Sequence, residues 1–350
     1  MGSVYFPFFL SYGSRLQAKW LDVTMSITAY CLPGELPRLS ATGTENGIAF
    51  KLQYLNEGGA NFIFSIVQDG GALPESLQGK LLRLRKNLPH VQATTEQVQS
   101  FNKNFRPIFP AECLVQHNLI YLEENLIDAL NTALDRQVRP SRRSQDSLPE
   151  DERYGLLVTD MTPADGKAML ETKPKWLLQS PNAPSNARRC RTCALRAQRA
   201  AQGKCTATDA QGSCPFDLVS ERVQDRRRAA EKATKETELA SFLVEGAQPL
   251  FAILRDQQRF LDPRGVLGVT GAEGIYDLCR AMTLRDCTLF VRNTSEGIEA
   301  RLGDLDFKQP EKLGRWKEVE RKLIVEGWYV NAEADAVWTE ETICRLSRGG

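Results

Sequence analysis

The sequence predicts an α+β fold, built as two lobes or as one large domain with insertions. Three observations predict it. The chain has 350 residues, too many for one small core. Strand patterns around tight turns come first, between residues 48 and 85 and again at 155–158. Helical periodicity dominates from residue 239 onward and encloses one further hairpin at 286–304. Composition is that of an ordinary globular protein, 42% hydrophobic and 25% charged.

Residues 1–45 show little periodicity and are read as an N-terminal extension, poorly ordered and without assigned function. Its apolar start, MGSVYFPFFL, has no charged leading region and is interrupted by Pro7, so it is not read as a secretory signal. No apolar run approaches the roughly 18 residues of a spanning helix, and no membrane partner is expected.

A first lobe is expected over 46–160. Residues 48–52 and 62–67 read as strands joined by NEGGAN at 56–61. Gly58 and Gly59 let the backbone turn tightly and bring its N–H groups near an anion. Most Gly-Gly pairs, however, are only hairpin turns. In KLLRLRK, 80–86, Leu82 and Leu84 alternate with Arg83 and Arg85. One strand face is then buried and two guanidinium groups share the other. An anion between them is one reading; a solvated strand face is the other. Residues 95–105 and 123–134 read as helices. The polar RPSRRSQDSLPEDE at 139–152 reads as a mobile loop. A short buried strand at 155–158 runs into Thr159, Asp160 and Met161.

The second lobe is expected over 161–350. It opens on ETKPKW at 171–176, where Pro174 holds the backbone extended and Lys173 and Lys175 project to one side. They are phosphate contacts or a solvated edge. From 173 to 208 there are eight Lys or Arg and no Asp or Glu, which favours phosphates. A net charge of +1 leaves no global basic field for nucleic acid. Trp176 is the segment's one aromatic, unlike the interleaved aromatics of a nucleic-acid module.

The nine cysteines are an odd count, read as free thiols in a reducing compartment. One cluster stands out, beginning with CxxC at Cys190 and Cys193. The spacing of Cys205 and Cys214 is irregular. Buried thiols between basic helices are therefore favoured over zinc at Cys190, Cys193, Cys205 and Cys214. Residues 222–238 start a charged helix. Leu239, Phe242, Leu243, Leu250, Phe251 and Leu254 continue as one apolar face to residue 261. Residues 274–282 are helical, as is the stretch after Lys308, where Trp316, Val319, Leu323 and Ile324 share a face.

The hairpin DCTLFVRNTSEGIEARLGD carries the chemistry. Residues 288–291 read as a buried strand, NTSEG as the turn and 298–303 as the return strand. If the turn is centred on Ser295, Asp286 faces Asp304 at the open mouth, about 5 Å away. Two such carboxylates repel unless one is protonated or a cation sits between them. A metal-phosphate site is one reading and a solvated hairpin mouth the other. The acid-rich DLDFK at 304–308 and the phosphate-binding features elsewhere favour the first. The start of the next helix brings Lys312 and Trp316 toward the same place.

Six stretches in order resemble the inositol-pentakisphosphate 2-kinase family, its fungal branch most closely. They are EGGAN at 57–61, LLRLRK at 81–86, ETKPKW at 171–176, CRTC at 190–193, RDCT at 285–288 and GDLDFK at 303–308. The resemblance spans roughly residues 48–330. It implies a two-lobed fold distantly like protein kinases, with an inositol-phosphate-binding insertion in the C-terminal lobe. It implies transfer of the ATP γ-phosphate to the 2-hydroxyl of inositol 1,3,4,5,6-pentakisphosphate, giving inositol hexakisphosphate (phytate).

Residue by residue, the resemblance implies that Gly58, Gly59, Ala60 and Asn61 cover the ATP phosphates and that Arg83 contacts them. Asp160 stands at the adenine hinge and Glu171 near the nucleotide. Asp286 orients or deprotonates the 2-hydroxyl, with Lys173 beside it in catalysis. Asp304 binds Mg²⁺. Lys173, Lys175, Arg199, Lys308 and Lys312 hold the substrate phosphates, with Trp316 beside them. Plant members carry Met-His-Gln after the Lys-Pro-Lys motif, where this chain has 190–199 instead. Plant and animal members also carry a Cys/His zinc site. Neither His90 nor His117 falls in a matching place, so that site is not expected. A location in nucleus and cytoplasm is the family expectation, and a monomer is expected. A different class, a non-catalytic scaffold binding polyphosphate or RNA through 173–208, is the alternative. A protein kinase is disfavoured by the missing HRD-type loop and the short spacing of the two aspartates.

Overall fold

Seven strands in the first half of the chain close into a barrel, because their apolar positions alternate and every edge finds a partner. The computed structural model describes residues 25–34, 36–164, 166–204, 212–330 and 343–348. These form two compact units, one of Met1–Ser100 with Val115–Asp160, the other of Phe101–Leu114 with Met161–Gly350. The α+β expectation holds. No helix among the described residues is long and apolar enough to cross a membrane.

In the first unit the strands are β1 (Ser26–Leu32), β2 (Arg38–Ser40), β3 (Ile48–Glu57), β4 (Asn61–Gln68), β5 (Lys80–Arg85), β6 (His117–Leu122) and β7 (Tyr154–Thr159). The barrel order is β1-β2-β6-β7-β5-β4-β3. Among the described strands of the barrel, β2 and β6 alone pair in parallel. Thus the stretch read as an extension supplies two strands from residue 26 onward, while 1–24 lie outside the described residues. Strands β1 and β2 are legible only through their partners on β3 and β6. Phe50, Leu52, Phe62, Phe64, Leu82 and Leu84 fill the barrel. Helix α2 (Glu124–Arg136) lays Leu126, Ile127, Leu130 and Leu134 on the same core. Gly155 is required here, since a Cβ would come within 2.8 Å of Leu84 Cδ2.

A bulge in β3 sets up a buried charge cluster. Tyr54 pairs with Phe64 and Asn56 with Ile63, leaving Leu55 unpaired. The extra residue reverses the inward-outward phase. Glu57 therefore turns inward, opposite Phe62. There it takes Lys86, which is fully buried and also bonds Asp146 at 2.7 Å. Arg139 approaches Glu57 at 3.6 Å, and Arg143 donates to the Glu57 carbonyl. The 139–152 loop, expected to be mobile, is pinned by these bonds. Leu148 and Asn131 exchange backbone–side-chain hydrogen bonds, and Glu152 pairs with Arg85. The anion expected beside Arg85 is thus the protein's own Glu152.

The second unit holds an antiparallel sheet in the order β10-β9-β8, of β8 (Met169–Thr172), β9 (Thr288–Thr294) and β10 (Gly297–Gly303). Its chief helices are α3 (Arg191–Ala201), α4 (Pro215–Leu218), α5 (Val223–Ala233), α6 (Thr237–Val244), α7 (Gln248–Leu261), α8 (Gly265–Gly268), α9 (Gly271–Leu284) and α10 (Leu313–Val325). Helix α1 (Thr94–Asn104) begins in the first unit and ends in the second. The single helix expected across 239–261 is two, α6 and α7, broken around Gly246. Their apolar faces still share one core with Phe101, Phe105, Leu289 and Val291.

Lys86→Met tests the buried cluster. It leaves Glu57 without its fully buried partner and is expected to cost about 3–5 kcal/mol in urea unfolding. A loss under about 1 kcal/mol would contradict the arrangement.

Candidate active site

Asp286 sits in the three-residue link between α9 and β9, and its neighbours fix it. Arg285 bonds Asp262 at 2.6 Å, with both side chains buried. Its guanidinium lies 3.5 Å from the centre of the Trp176 ring, whose other close cation is Arg191 at 4.3 Å. Arg191 in turn pairs with the fully buried Glu320, which also accepts from Tyr329 and Ser180. On the other side Cys287 is buried, and burial pushes its thiol up to about 12. The Asp286 side chain is therefore projected from a rigid link.

Three lysines meet it. Lys175 Nζ donates to Asp286 Oδ1 at 3.0 Å and Lys308 Nζ to Oδ2 at 2.8 Å. Lys173 Nζ donates to the Asp286 carbonyl at 2.8 Å and stands 3.8 Å from Oδ1. It also reaches Asp304 Oδ2 at 3.3 Å. A lysine is thus the cation between the two acids. Burial raises the Asp286 carboxyl, but Lys175, Lys308 and Lys173 outweigh it and hold it well below the ordinary carboxylate range. Burial also opposes the charge on Lys173, and Asp304 and Asp286 together win, raising its pKa. For Lys175 burial prevails over Asp286, with Lys173 and Arg196 adding to it, and the pKa falls below the ordinary lysine value.

The hairpin register differs by one step from expectation. Thr294 pairs with Gly297 and Thr288 with Gly303, so the turn is centred between Ser295 and Glu296. Asp304 consequently does not face Asp286 directly. It follows the last paired residue, with φ 55°, and accepts from the Thr288 hydroxyl. Lys175 likewise has φ 62°, so the backbone after Pro174 is not extended throughout. Gln258, fully buried, holds it there by donating to the Lys175 carbonyl and accepting from Leu177 N, both at 3.0 Å. Lys175 and Asp304 are the two non-glycine residues with positive φ among those described. Each such conformation costs on the order of 1–3 kcal/mol, and both stand in this cluster.

The other predicted residues are placed as follows. Glu171 is an exposed residue of β8, paired with Phe290. Lys312 caps α10 and Trp316 lies in its first turns. Neither bonds Asp286 or Asp304 among the described residues. Arg199 is in the last turn of α3. Arg196, which sequence reasoning passed over, is the arginine whose charge Lys175 feels. It donates to the Gly212 and Ser213 carbonyls at 2.7 and 2.6 Å. The basic segment is not one open patch, since Arg189 and Arg191 are buried inside the unit.

In the first unit, Gly58, Gly59, Ala60 and Asn61 form the β3–β4 turn. Gly58 N donates to Asn61 O at 2.8 Å and Lys86 N to Ala60 O at 2.8 Å. A Cβ on Gly59 would meet nothing within 4 Å. With its amide oxygen turned to Arg83, Asn61 accepts from Nη2 at 2.9 Å. Arg83 is buried and also bonds Gln97, so it does not share a solvated face with Arg85. Asp160 ends the first unit, its N–H on the Gly79 carbonyl.

A family model described as inositol-pentakisphosphate 2-kinase matches residues 54–258 and 247–322, which include every site residue predicted from the sequence. The chain belongs to the inositol-pentakisphosphate 2-kinase family. An inositol-pentakisphosphate 2-kinase of Yarrowia lipolytica is 29% identical over 275 residues, covering 71% of this chain and 85% of that protein. Inositol-pentakisphosphate 2-kinases are phosphotransferases, and the lysine-rich acid cluster suits a family that handles polyphosphates.

The depressed Asp286 has a measurable consequence. Its ionised form stabilises the folded state above the unfolded carboxyl value of 3.8, and that contribution is lost as pH falls through the lower folded value. The difference in unfolding free energy between wild type and Asp286→Asn should hold from about pH 6 to about pH 4, then narrow. A gap that closes by about pH 5, or never narrows, would contradict the cluster.

Proposed function

We propose that the protein transfers the γ-phosphoryl group of ATP to the 2-hydroxyl of inositol 1,3,4,5,6-pentakisphosphate, forming inositol hexakisphosphate. The proposal includes the two-lobed, distantly protein-kinase-like fold of the family, with an inositol-phosphate-binding insertion in the C-terminal lobe. Family membership supports the acceptor class. The convergence of Lys173, Lys175 and Lys308 on Asp286 carries the assignment of roles.

An acceptor with five phosphates needs cations that are held in place before it arrives. The three lysines are such cations, each kept in position by a carboxylate. Asp286, ionised, accepts a hydrogen bond from the acceptor hydroxyl and aims its oxygen. A carboxylate this weakly basic suffices, because phosphoryl transfer passes through a loose transition state that asks for position and charge neutralisation more than early proton removal. The hydroxyl proton passes to Asp286 as the new O–P bond forms. Lys173, beside both acids, neutralises charge on the transferring group. Lys175, Arg199, Lys308 and Lys312 hold acceptor phosphates with Trp316 against them, and Arg196 joins this set.

Two absent groups fit the residues present. Asp304 is a hard oxygen donor with a half-exposed side chain, the type of single carboxylate that Mg²⁺ uses alongside phosphates and water. Bound Mg²⁺ supplies charge neutralisation on the phosphates. The open space over Gly59 leaves room for a phosphate against the β3–β4 turn. Gly58, Gly59, Ala60, Asn61 and Arg83 hold the nucleotide phosphates in the first unit, with Asp160 toward the adenine. In the second unit Glu171 serves the nucleotide. A nuclear and cytoplasmic location belongs to the same reading.

Turnover with Mg·ATP and inositol 1,3,4,5,6-pentakisphosphate, followed by anion-exchange chromatography, tests it. A hexakisphosphate peak is expected. Asp304→Asn should lower kcat by about 10²-fold or more. Lys312→Met should raise the acceptor KM about tenfold with kcat little changed. Tight pentakisphosphate binding without product would instead favour the non-catalytic scaffold.

A further inference from the structure

Thr283, the penultimate residue of α9, is a fully buried hydroxyl on which the backbone around the lysine cluster converges. The hydroxyl donates to the Cys279 carbonyl at 2.9 Å, one helical turn back. The same oxygen accepts from the Lys308 N–H at 3.0 Å. The Thr283 carbonyl accepts from the Asp286 N–H at 2.9 Å. One residue thus holds the backbone of both Asp286 and Lys308, whose side chains meet at 2.8 Å.

The chemistry of a hydroxyl explains why threonine suits this place. A hydroxyl carries one proton and two acceptor lone pairs. Of two carbonyls within its reach, that of Cys279 is the nearer and that of Asp306 stands at 3.4 Å, so the proton goes back to the helix. The lone pairs are then left for the Lys308 N–H. A β-branched side chain in a helix has few χ1 choices, and the bond to Cys279 selects one. The acceptor for Lys308 is fixed in direction as well as in place.

A second contact on α9 keeps the segment from pivoting about that bond. Phe307 lies against Tyr276 with ring centres 5.0 Å apart, and the Tyr276 hydroxyl donates to Asn104 Oδ1 at 2.7 Å. Residues 276 and 283 are about two helical turns apart, so they share one face of α9. Phe307 and Lys308 are therefore fastened at two points along that face. The fastening is needed because β10 ends at Gly303 and the backbone turns left-handed at Asp304, so the β9–β10 ladder does not extend to Lys308.

Granting the proposed function, in which Asp286 aims the acceptor hydroxyl and Lys308 holds an acceptor phosphate, we propose that Thr283 is a positioning residue that sets where the Lys308 ammonium stands relative to the Asp286 carboxylate. A polyphosphorylated ring presents each phosphate at a set distance from its free hydroxyl. An ammonium and a carboxylate both tied to the last turn of α9 keep a matching separation, whereas an ammonium on untied chain does not. Thr283 touches no substrate in this scheme. It acts through Lys308.

Thr283→Val removes the hydroxyl and keeps the shape, whereas Thr283→Ser keeps the hydroxyl and loses the methyl. Equilibrium binding of inositol 1,3,4,5,6-pentakisphosphate to the full chain compares them, with Mg·ATP binding measured alongside. Thr283→Val should weaken pentakisphosphate binding about fivefold to tenfold with Mg·ATP binding unchanged, and Thr283→Ser should stay within about twofold of wild type. Thr283→Ala, which adds no second methyl, should behave as the valine variant does. In a Lys308→Met background Thr283→Val should add less than about twofold, because the residue it acts through is gone. Hydrogen exchange at the residue 308 amide should quicken in Thr283→Val and not in Thr283→Ser. Wild-type affinity in both Thr283→Val and Thr283→Ala would overturn the proposal. So would the same loss with and without Lys308, or equal losses in the valine and serine variants. Absence of transfer by the wild-type chain would instead overturn the proposed function, and the binding cycle would still decide whether Thr283 places Lys308.

Discussion

Three ammonium groups on one carboxylate are the arrangement around which the second unit is organised. Asp286 could not be so deep among cations unless its link were rigid, and Arg285 and Cys287 make it so. Lysines at 173, 175 and 308 could not all reach it along regular strand or helix. The backbone therefore turns left-handed at Lys175, where Gln258 holds it, and at Asp304, where Thr288 does. Strain of this kind persists only where surrounding contacts over-determine it, and it gathers at functional sites. The buried charges behind the cluster serve the same end. The Arg191–Trp176–Arg285 stack, with Glu320 and Asp262 as counter-ions, anchors the segment from which Lys175 projects.

Under the proposed function, the cluster also accounts for how a site for a highly charged acceptor stays ordered without it. Exposed lysines repel, and their long side chains lose entropy when fixed. Sharing Asp286, and for Lys173 Asp304 as well, offsets both terms. An incoming polyphosphate then competes for ammonium groups already placed near its own oxygens. The same logic runs through the first unit at smaller scale, where Glu57 and Asp146 hold Lys86 below the β3–β4 turn.

Much of the candidate site was legible in the sequence because its parts are local motifs. The Lys-Pro-Lys run and the hairpin with its flanking acids follow from residue order and charge, whereas the place between the acids, read as a metal-phosphate site, holds the Lys173 ammonium. What stayed hidden depends on long-range pairing. The register slipped by one step because the turn has two residues, Ser295 and Glu296, rather than a single centre. Strands β1 and β2 are too short and irregular to read without β3 and β6 beside them. The basic segment looked like an open patch because sequence does not reveal that Glu320 lies beside Arg191. Nothing near Cys190 in sequence announces Cys344, which is buried against Cys190, Cys193 and Cys214, while Cys205 lies outside the described residues. A polar loop gives no sign that Asp146 will meet a buried lysine.

The most direct test of the Asp286 cluster is single-turnover transfer from Mg·ATP to the pentakisphosphate by Asp286→Asn, alongside its acceptor affinity. Asparagine keeps the shape, removes the charge and releases Lys175 and Lys308 from their carboxylate, while Lys173 keeps Asp304 and the residue 286 carbonyl. Transfer should slow by about 10²–10⁴-fold, while the acceptor binds at least as tightly as to wild type. Near-wild-type transfer, or weakened acceptor binding with an unchanged rate, would contradict the role given to Asp286.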